Sequence, residues 1–158
     1  VDPKTVYMMN SMLRDVTVRG TAAAVNSLGR SDLAGKTGTS NDETDAWFNG
    51  FHPTLVATTW IGYDHPKPLG KGEVGGRAAL PVWMDFMRGA LRGVAQANLV
   101  APDGMTAVHI NPDNGKLAWE GSDHFIIETL PLDRLPAEDD GLSPDQQGEA
   151  GAAAQDLF

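Results

Sequence analysis

The sequence contains no cysteine, and this absence removes several classes of chemistry. Without a thiol there can be no disulfide framework, no thiolate nucleophile and no cysteine-ligated zinc site. The four histidines lie too far apart in the sequence to suggest the spacing of metal ligands: His52, His65, His109 and His124. The sequence therefore predicts neither a metal nor another cofactor.

Long apolar runs and clusters of basic residues are also missing. No stretch reaches the roughly 18 consecutive apolar residues that a membrane span requires, and no signal peptide opens the chain. The formal net charge is -9, and no basic residue follows Arg134. Because no Lys or Arg cluster is available to neutralise phosphates, the sequence favours neither a nucleic acid nor an anionic membrane as a partner.

The 158 residues suffice for one domain with a sizeable core. They open on Val1-Asp2-Pro3 rather than on Met, which suggests the interior of a longer protein. Asp2 is a good N-cap and Pro3 a good first helical residue, and apolar residues then recur at helical spacing. We expect a helix from Pro3 to Val18.

Three segments with strand character follow, at Asp32–Ser40, Asp45–Phe51 and Leu55–Tyr63. The connections between them are too short for the crossover helix that parallel strands need, so we expect consecutive antiparallel strands. A second helix is expected at 78–91, with Pro81 in its first turn and a Met and aromatic stripe that packs in the core. The predicted fold class is α+β, an antiparallel sheet flanked by helices.

The predicted domain organisation has three parts. Residues 1–95 form the main unit, 96–136 a small extension, and 137–158 an acidic tail with too little apolar surface to order. In the extension, Thr106–Ile110 and Lys116–Trp119 flank an Asn-Gly step that favours a tight hairpin turn.

The most informative feature is the tetrapeptide Lys36-Thr37-Gly38-Thr39, which falls in the first predicted strand. Lys-Thr-Gly is one of three sequence elements that serve serine acyl-transfer sites. Side chains alternate along a strand, so Lys36 and Gly38 share one face and the two threonines the other. Gly38 leaves room for a peptide backbone to approach and pair as an added strand.

Together with its surroundings this motif strongly resembles the transpeptidase domain of class A penicillin-binding proteins. The resemblance covers roughly residues 1–95 and is carried by Arg19-Gly20-Thr21, Lys36-Thr37-Gly38-Thr39, Asp45-Ala46-Trp47-Phe48-Asn49-Gly50-Phe51, Trp60-Ile61-Gly62-Tyr63-Asp64, Gly75-Gly76 and Ala79-Leu80-Pro81-Val82-Trp83. It implies an enzyme that cross-links peptidoglycan stem peptides through a serine acyl-enzyme and that β-lactams acylate.

The resemblance also implies a role for each residue of the motif. Lys36 would assist proton transfer, Thr37 and Thr39 would bind the substrate carboxylate, and the Thr39 N–H would form half of an oxyanion hole. Gly38 would leave room for the substrate backbone. The catalytic candidates are therefore Lys36 and Thr39, and the substrate-binding candidates are all four residues.

The nucleophile that this family uses is absent from the sequence. No serine has Lys three residues later and none begins Ser-x-Asn, among Ser11, Ser27, Ser31, Ser40, Ser122 and Ser143. The expected partner is therefore an upstream half of the same protein that carries both elements. Family membership further implies a glycosyltransferase domain and a membrane anchor outside this chain, with the domain on the periplasmic face of the inner membrane.

Two other functions remain open at this stage. A serine β-lactamase shares Lys-Thr-Gly, and a non-catalytic peptide-binding module would explain the missing nucleophile. Ser40 is interpreted as a turn hydroxyl, and Asp42, Glu43 and Asp45 as a solvated turn in which Asp45 could also anchor the next strand. Gly70–Gly75 matches a dinucleotide-binding pattern, but it does not follow a predicted parallel strand.

Overall fold

The computed structural model describes residues 1–139 and 141, which divide into two compact units. The first unit spans Val1–Val100 and the second begins at Ala101. The first unit reaches past residue 95 because side chains near the start of the first strand hold the backbone of residues 94–97. Among the described residues, no helix is long and apolar enough to cross a membrane.

Helix α1 spans Pro3–Val18, as expected from its sequence. Its N-terminus is capped because the Asp2 carboxylate accepts a hydrogen bond of 3.0 Å from the N–H of Thr5. Near its C-terminal end the buried Thr17 places its hydroxyl 2.9 Å from the carbonyl of Leu33, which ties α1 to the start of the sheet. A 3-10 helix, Ala23–Leu28, connects α1 to the sheet.

The sheet of the first unit contains β1 (Ala34–Thr39), β2 (Asp45–His52) and β3 (Leu55–Gly62). They are antiparallel neighbours in the order β1-β2-β3, which confirms the predicted α+β class. Alternate side chains of β2 are buried on one face, as the two-residue period of a strand requires. A short 3-10 turn at Asn41–Glu43 joins β1 to β2.

Helix α2 spans Gly75–Ala90 and covers that buried face of the sheet. The Trp83 indole packs edge-on against the Phe48 ring, with 4.8 Å between the ring centroids. Both side chains are fully buried, and burial of a side chain such as Phe48 stabilises a fold by about 1.5–3 kcal/mol. The Met and aromatic stripe of α2 is therefore core, as expected.

The start of α2 differs from the prediction, which placed it at Ala78. Gly75 is the first helical residue, so Pro81 lies in the interior of the helix instead of its first turn. Pro81 lies on the exposed face, where the carbonyl left without a helical donor can be hydrated. A sequence rule based on proline cannot detect this, because the helix begins where Gly75 packs against β1 and β2.

The second unit contains a two-stranded antiparallel sheet of β4 (Met105–Ile110) and β5 (Ile126–Pro131). The predicted tight turn is present at the end of β4, where the Asn111 N–H donates to the Lys116 carbonyl, the Ala118 N–H donates to the His109 carbonyl and Leu117 forms a bridge with Ile110. The partner along the full length of β4 is β5, a longer β-branched and apolar strand that the sequence did not predict. A 3-10 turn, Leu132–Arg134, follows β5.

The start of the predicted acidic tail is also part of this unit. The N–H of Leu117 donates to the carbonyl of Ala137, and the N–H of Asp139 donates to the carbonyl of Leu117. The expectation of disorder for Asp140 and for 142–158 lies outside the described residues.

Candidate functional site

The outer edge of β1 carries the Lys36–Thr39 motif. Between the first two strands, the Ser40 N–H donates to the Asp45 carbonyl at 3.0 Å. Because antiparallel pairs alternate between bonded and non-bonded positions, this bond directs the N–H and C=O groups of Thr37 and Thr39 away from β2. No strand among the described residues pairs with that edge. The backbone N–H of Thr39 is therefore oriented as an oxyanion donor would have to be.

The Lys36 ammonium lies at this same edge. Its Nζ atom is 2.9 Å from the carbonyl oxygen of Thr37, which faces away from β2, and 3.4 Å from the Thr37 hydroxyl. Lys36 is exposed, and an ammonium carries three donors, so a donor remains for an incoming group. The Lys36 ammonium and the outward-facing N–H of Thr39 thus lie at the same edge of β1.

The two threonine hydroxyls of the motif are held from the helical side of the sheet. The Thr37 hydroxyl shares a hydrogen bond of 2.9 Å with the hydroxyl of Thr21. The Thr39 hydroxyl accepts a hydrogen bond of 3.1 Å from the N–H of Gly75, the first residue of α2. Since Thr39 accepts from Gly75, its own hydroxyl hydrogen is available to donate elsewhere.

The close backbone approach expected at Gly38 takes a different form in the structure. A Cβ on Gly75 would lie 2.5 Å from the carbonyl oxygen of Gly38 and 2.3 Å from that of Trp47. A Cβ on Gly38 itself would lie 3.3 Å from the Cβ of Trp47. The backbone that packs closely on Gly38 is therefore that of α2, and edge pairing would involve Thr37 and Thr39 instead.

The turn after the motif has the structural role that the sequence suggested. The Ser40 hydroxyl accepts from the N–H of Asp45 at 2.8 Å and lies 2.7 Å from the hydroxyl of Thr44. The Trp60 indole N–H donates to Asp45, and this bond, with those from Thr44 and Ser40, holds the pKa of Asp45 below its ordinary value although partial burial opposes it. The Glu43 carboxylate accepts a hydrogen bond of 2.8 Å from the Gly72 N–H. Glu43 and Asp45 therefore hold neighbouring segments of the chain in place.

A buried polar cluster lies at the opposite end of β1. The Asp32 carboxylate accepts two hydrogen bonds from the Arg30 guanidinium, at 2.9 and 2.6 Å, and one of 2.8 Å from the Ala97 N–H. The Nε2 atom of the buried His52 lies 3.2 Å from the same carboxylate. Burial alone would raise the pKa of Asp32, but Arg30, Ala97 and His52 together hold it below the ordinary value.

Two cavities of the first unit are not lined by the motif. One of about 400 Å³ lies between α1, the start of β1 and residues 97–99. Another of about 430 Å³ lies between residues 27–30 and the end of α2. The candidate site is the outer edge of β1, with which no described strand pairs.

Sequence reasoning did not assign site roles to Thr21 and Gly75. Thr21 binds the Thr37 hydroxyl, and Gly75 binds the Thr39 hydroxyl. The segments Arg19-Gly20-Thr21 and Gly75-Gly76 were both part of the family resemblance, and this was the available signal. Nothing in their spacing from Lys36 indicates that they meet β1.

Comparison with curated proteins gives a consistent class. The chain is 39% identical over 144 residues to penicillin-binding protein 1A of Pseudomonas aeruginosa, covering 91% of this chain and 18% of that protein. It is 37% identical over 167 residues to penicillin-binding protein 1A of Neisseria gonorrhoeae, covering 99% and 20%. The Neisseria lactamica protein of the same name is 49% identical over 107 residues, covering 68% and 13%. The chain thus spans no more than about a fifth of the length of these relatives.

Comparison with solved structures gives the same class. The 2.6 Å crystal structure of penicillin-binding protein 1A from Haemophilus influenzae superposes with a TM-score of 0.80 at 28% identity, covering 87% of this chain and 22% of that chain. No family model matches the sequence.

The fold is that of the penicillin-binding transpeptidase class. The relatives identify the family within this class. The chain belongs to the class A penicillin-binding proteins of the 1A type.

Proposed function

We propose that this chain forms one wall of the acyl-transfer site of a D,D-transpeptidase that cross-links peptidoglycan. The observation that carries the proposal is the outer edge of β1, where the Lys36 ammonium and the Thr39 N–H occur together. The relatives named penicillin-binding protein 1A support an enzyme of cell-wall synthesis.

The proposed reaction is the formation of a serine ester. A serine hydroxyl attacks the penultimate D-alanine carbonyl of a stem peptide, the peptide C–N bond breaks, and the terminal D-alanine leaves as an amine. An amine of a second strand then attacks the ester and releases the serine. In a β-lactam the same attack opens the ring, and the product remains attached.

Each residue of the edge has a role in that reaction. Lys36 stabilises negative charge and assists proton transfer near the serine, because its ammonium keeps a free donor at the edge. The Thr39 N–H faces the developing oxyanion, and loss of one such donor costs about 10²–10³ in rate. The hydroxyls of Thr37 and Thr39 bind the terminal carboxylate of the substrate.

The nucleophile comes from outside these 158 residues, since the sequence contains no Ser-x-x-Lys. Ser40 is not a substitute, because its hydroxyl is engaged by Asp45 and Thr44 in the turn. We propose that the partner is another part of the same protein, which carries Ser-x-x-Lys and Ser-x-Asn. We also propose that this protein acts on the periplasmic face of the inner membrane, anchored by a segment other than this one.

The experiment that tests this function locates the acylated residue. The protein that contains this chain is labelled with a fluorescent penicillin, digested, and analysed by tandem mass spectrometry. The expected adduct lies on the serine of a Ser-x-x-Lys element outside residues 1–158. An adduct on any serine of this chain, or no adduct at all, would contradict the proposal.

A further inference from the structure

Asp45 uses both carboxylate oxygens to connect the start of β2 to two other elements. Its Oδ1 atom accepts a hydrogen bond of 2.8 Å from the Trp60 indole N–H. Its Oδ2 atom accepts from the hydroxyls of Ser40, at 3.2 Å, and Thr44, at 3.1 Å. Asp45 therefore links the first residue of β2 to the third strand and to the turn that follows Thr39.

The first connection holds the residue next to Thr39. Ser40 is bonded to Asp45 through its backbone N–H, at 3.0 Å, and through its side chain in both directions. The turn that begins at Ser40 is strained, because the backbone φ angles of Asp42 and Glu43 are 58° and 53°. Residues other than glycine rarely adopt such positive values. Two of these bonds use the Asp45 backbone, and without the bonds to the carboxylate the turn could relax and carry the end of β1 with it.

The second connection reaches Gly38. The Trp60 ring contacts the Trp47 ring, with 6.0 Å between their centroids, and Trp47 lies directly opposite Gly38 in the sheet. The Trp60 ring also lies over Gly62, where a Cβ would come within 2.3 Å of it. The Asp45 carboxylate thus fixes the indole that supports the tryptophan beside Gly38.

These two connections meet at the Gly38–Thr39 peptide, which carries the N–H that faces the open edge. We propose that Asp45 is a positioning residue for acyl transfer, which acts through Ser40 and Trp60 to hold the Thr39 N–H in its catalytic orientation. The inference rests on the proposed function. Asp45 itself need not contact substrate, because Ser40 and Trp60 transmit its effect.

The test measures acylation in the whole protein that contains this chain. Rates of labelling by a saturating fluorescent penicillin are compared for wild type, Asp45→Ala, Asp45→Asn and Trp60→Phe. A small displacement of a reacting group can cost up to about 100-fold in rate, and we expect Asp45→Ala to slow labelling by about tenfold or more. Asp45→Asn and Trp60→Phe should fall between, because each removes part of the connection.

The rate and the final labelled fraction separate positioning from folding. A residue that only stabilises the fold lowers the fraction of protein that can be labelled, while the folded remainder reacts at the wild-type rate. A lower rate at an unchanged final fraction supports the proposal. An unchanged rate in Asp45→Ala overturns it, whatever the fraction; if that variant does not fold, an unchanged rate in both Asp45→Asn and Trp60→Phe overturns it equally.

Two controls complete the test. Asp85→Asn removes an exposed carboxylate that pairs with Arg88 on α2, and we expect it to label like wild type. Lys36→Ala tests the proposed function itself. If Lys36→Ala loses labelling while the Asp45 variants react normally, only the positioning role fails; if Lys36→Ala reacts like wild type, the proposed function fails as well.

Discussion

The charged groups at the two ends of β1 lie in opposite environments. Before the strand, Asp32 has a side chain only 1% exposed and is surrounded by donors from Arg30, Ala97 and His52. Within the strand, Lys36 is exposed, and its ammonium contacts the backbone and hydroxyl of the residue next to it. Both groups are charged, but only Asp32 has exchanged water for protein partners on nearly every side.

This difference separates a charge that stabilises the fold from a charge that stays available to a ligand. A buried ion stabilises the fold through the groups that bind it. The loss of one of these groups leaves the others buried without their partner. An exposed ammonium contributes little to stability and keeps its capacity for an incoming anion. Substitutions at the two ends should therefore change different measurements.

The largest effect on stability is expected for Asp32→Ala. Removal of this carboxylate leaves the Arg30 guanidinium and His52 without their common partner, which costs about 3 kcal/mol in the free energy of unfolding. Urea denaturation of the protein that contains this chain measures the loss. Asp85→Ala is the matched control, because its exposed pair with Arg88 should contribute little. Equal stability of the two variants would show that the cluster does not stabilise the fold.

A smaller effect distinguishes two glycines of the same helix. A Cβ at Gly75 would lie 2.3 Å from the Trp47 carbonyl oxygen, so Gly75→Ala must displace α2 or the sheet and should cost about 2 kcal/mol. A Cβ at Gly89 would meet nothing within 4 Å, so Gly89→Ala should stabilise the helix by about 0.5–1 kcal/mol. Thermal unfolding compares them, and a destabilising Gly89→Ala or a neutral Gly75→Ala would contradict this packing.

The smallest expected effect is a pH dependence of stability. The pKa of Asp32 lies below its ordinary value of 3.8 in the folded state, so the folded protein retains the ionised form to lower pH than the unfolded chain does. Its stabilisation is complete above pH 3.8 and is lost as the pH falls through the folded pKa. The stability difference between wild type and Asp32→Asn should therefore shrink over this acidic range. A constant difference would be inconsistent with the shift.

Local sequence patterns predicted much of the first unit. Helix α1 begins and ends where its cap and apolar spacing indicate, and the three strands of the sheet follow from alternation and short connections. These features depend on residues that are close together in the sequence. The alternation of side chains along β1 could be anticipated for the same reason, because it is a property of a single strand, whereas the open edge follows from the order of the three strands.

Contacts between distant residues were not predictable in this way. The early start of α2 depends on Gly75 packing against Gly38 and Trp47, and β4 pairs along its full length with β5, while the nearer Lys116 segment bonds only to its end. The Arg30–Asp32–His52 cluster and the Thr21–Thr37 bond likewise join positions with no recognisable spacing. Each depends on three-dimensional packing between distant residues, about which the periodicity of a local segment carries no information.

The most direct measurement of the central claim is made on Lys36→Ala in the protein that contains this chain. Penicillin labelling rate and the free energy of unfolding are determined on the same samples. We expect labelling to slow by about 10²–10³ while stability stays near that of wild type, because the Lys36 ammonium acts on the reacting groups and not on the core. Labelling at the wild-type rate would contradict the assignment of the Lys36–Thr39 edge as one wall of the site.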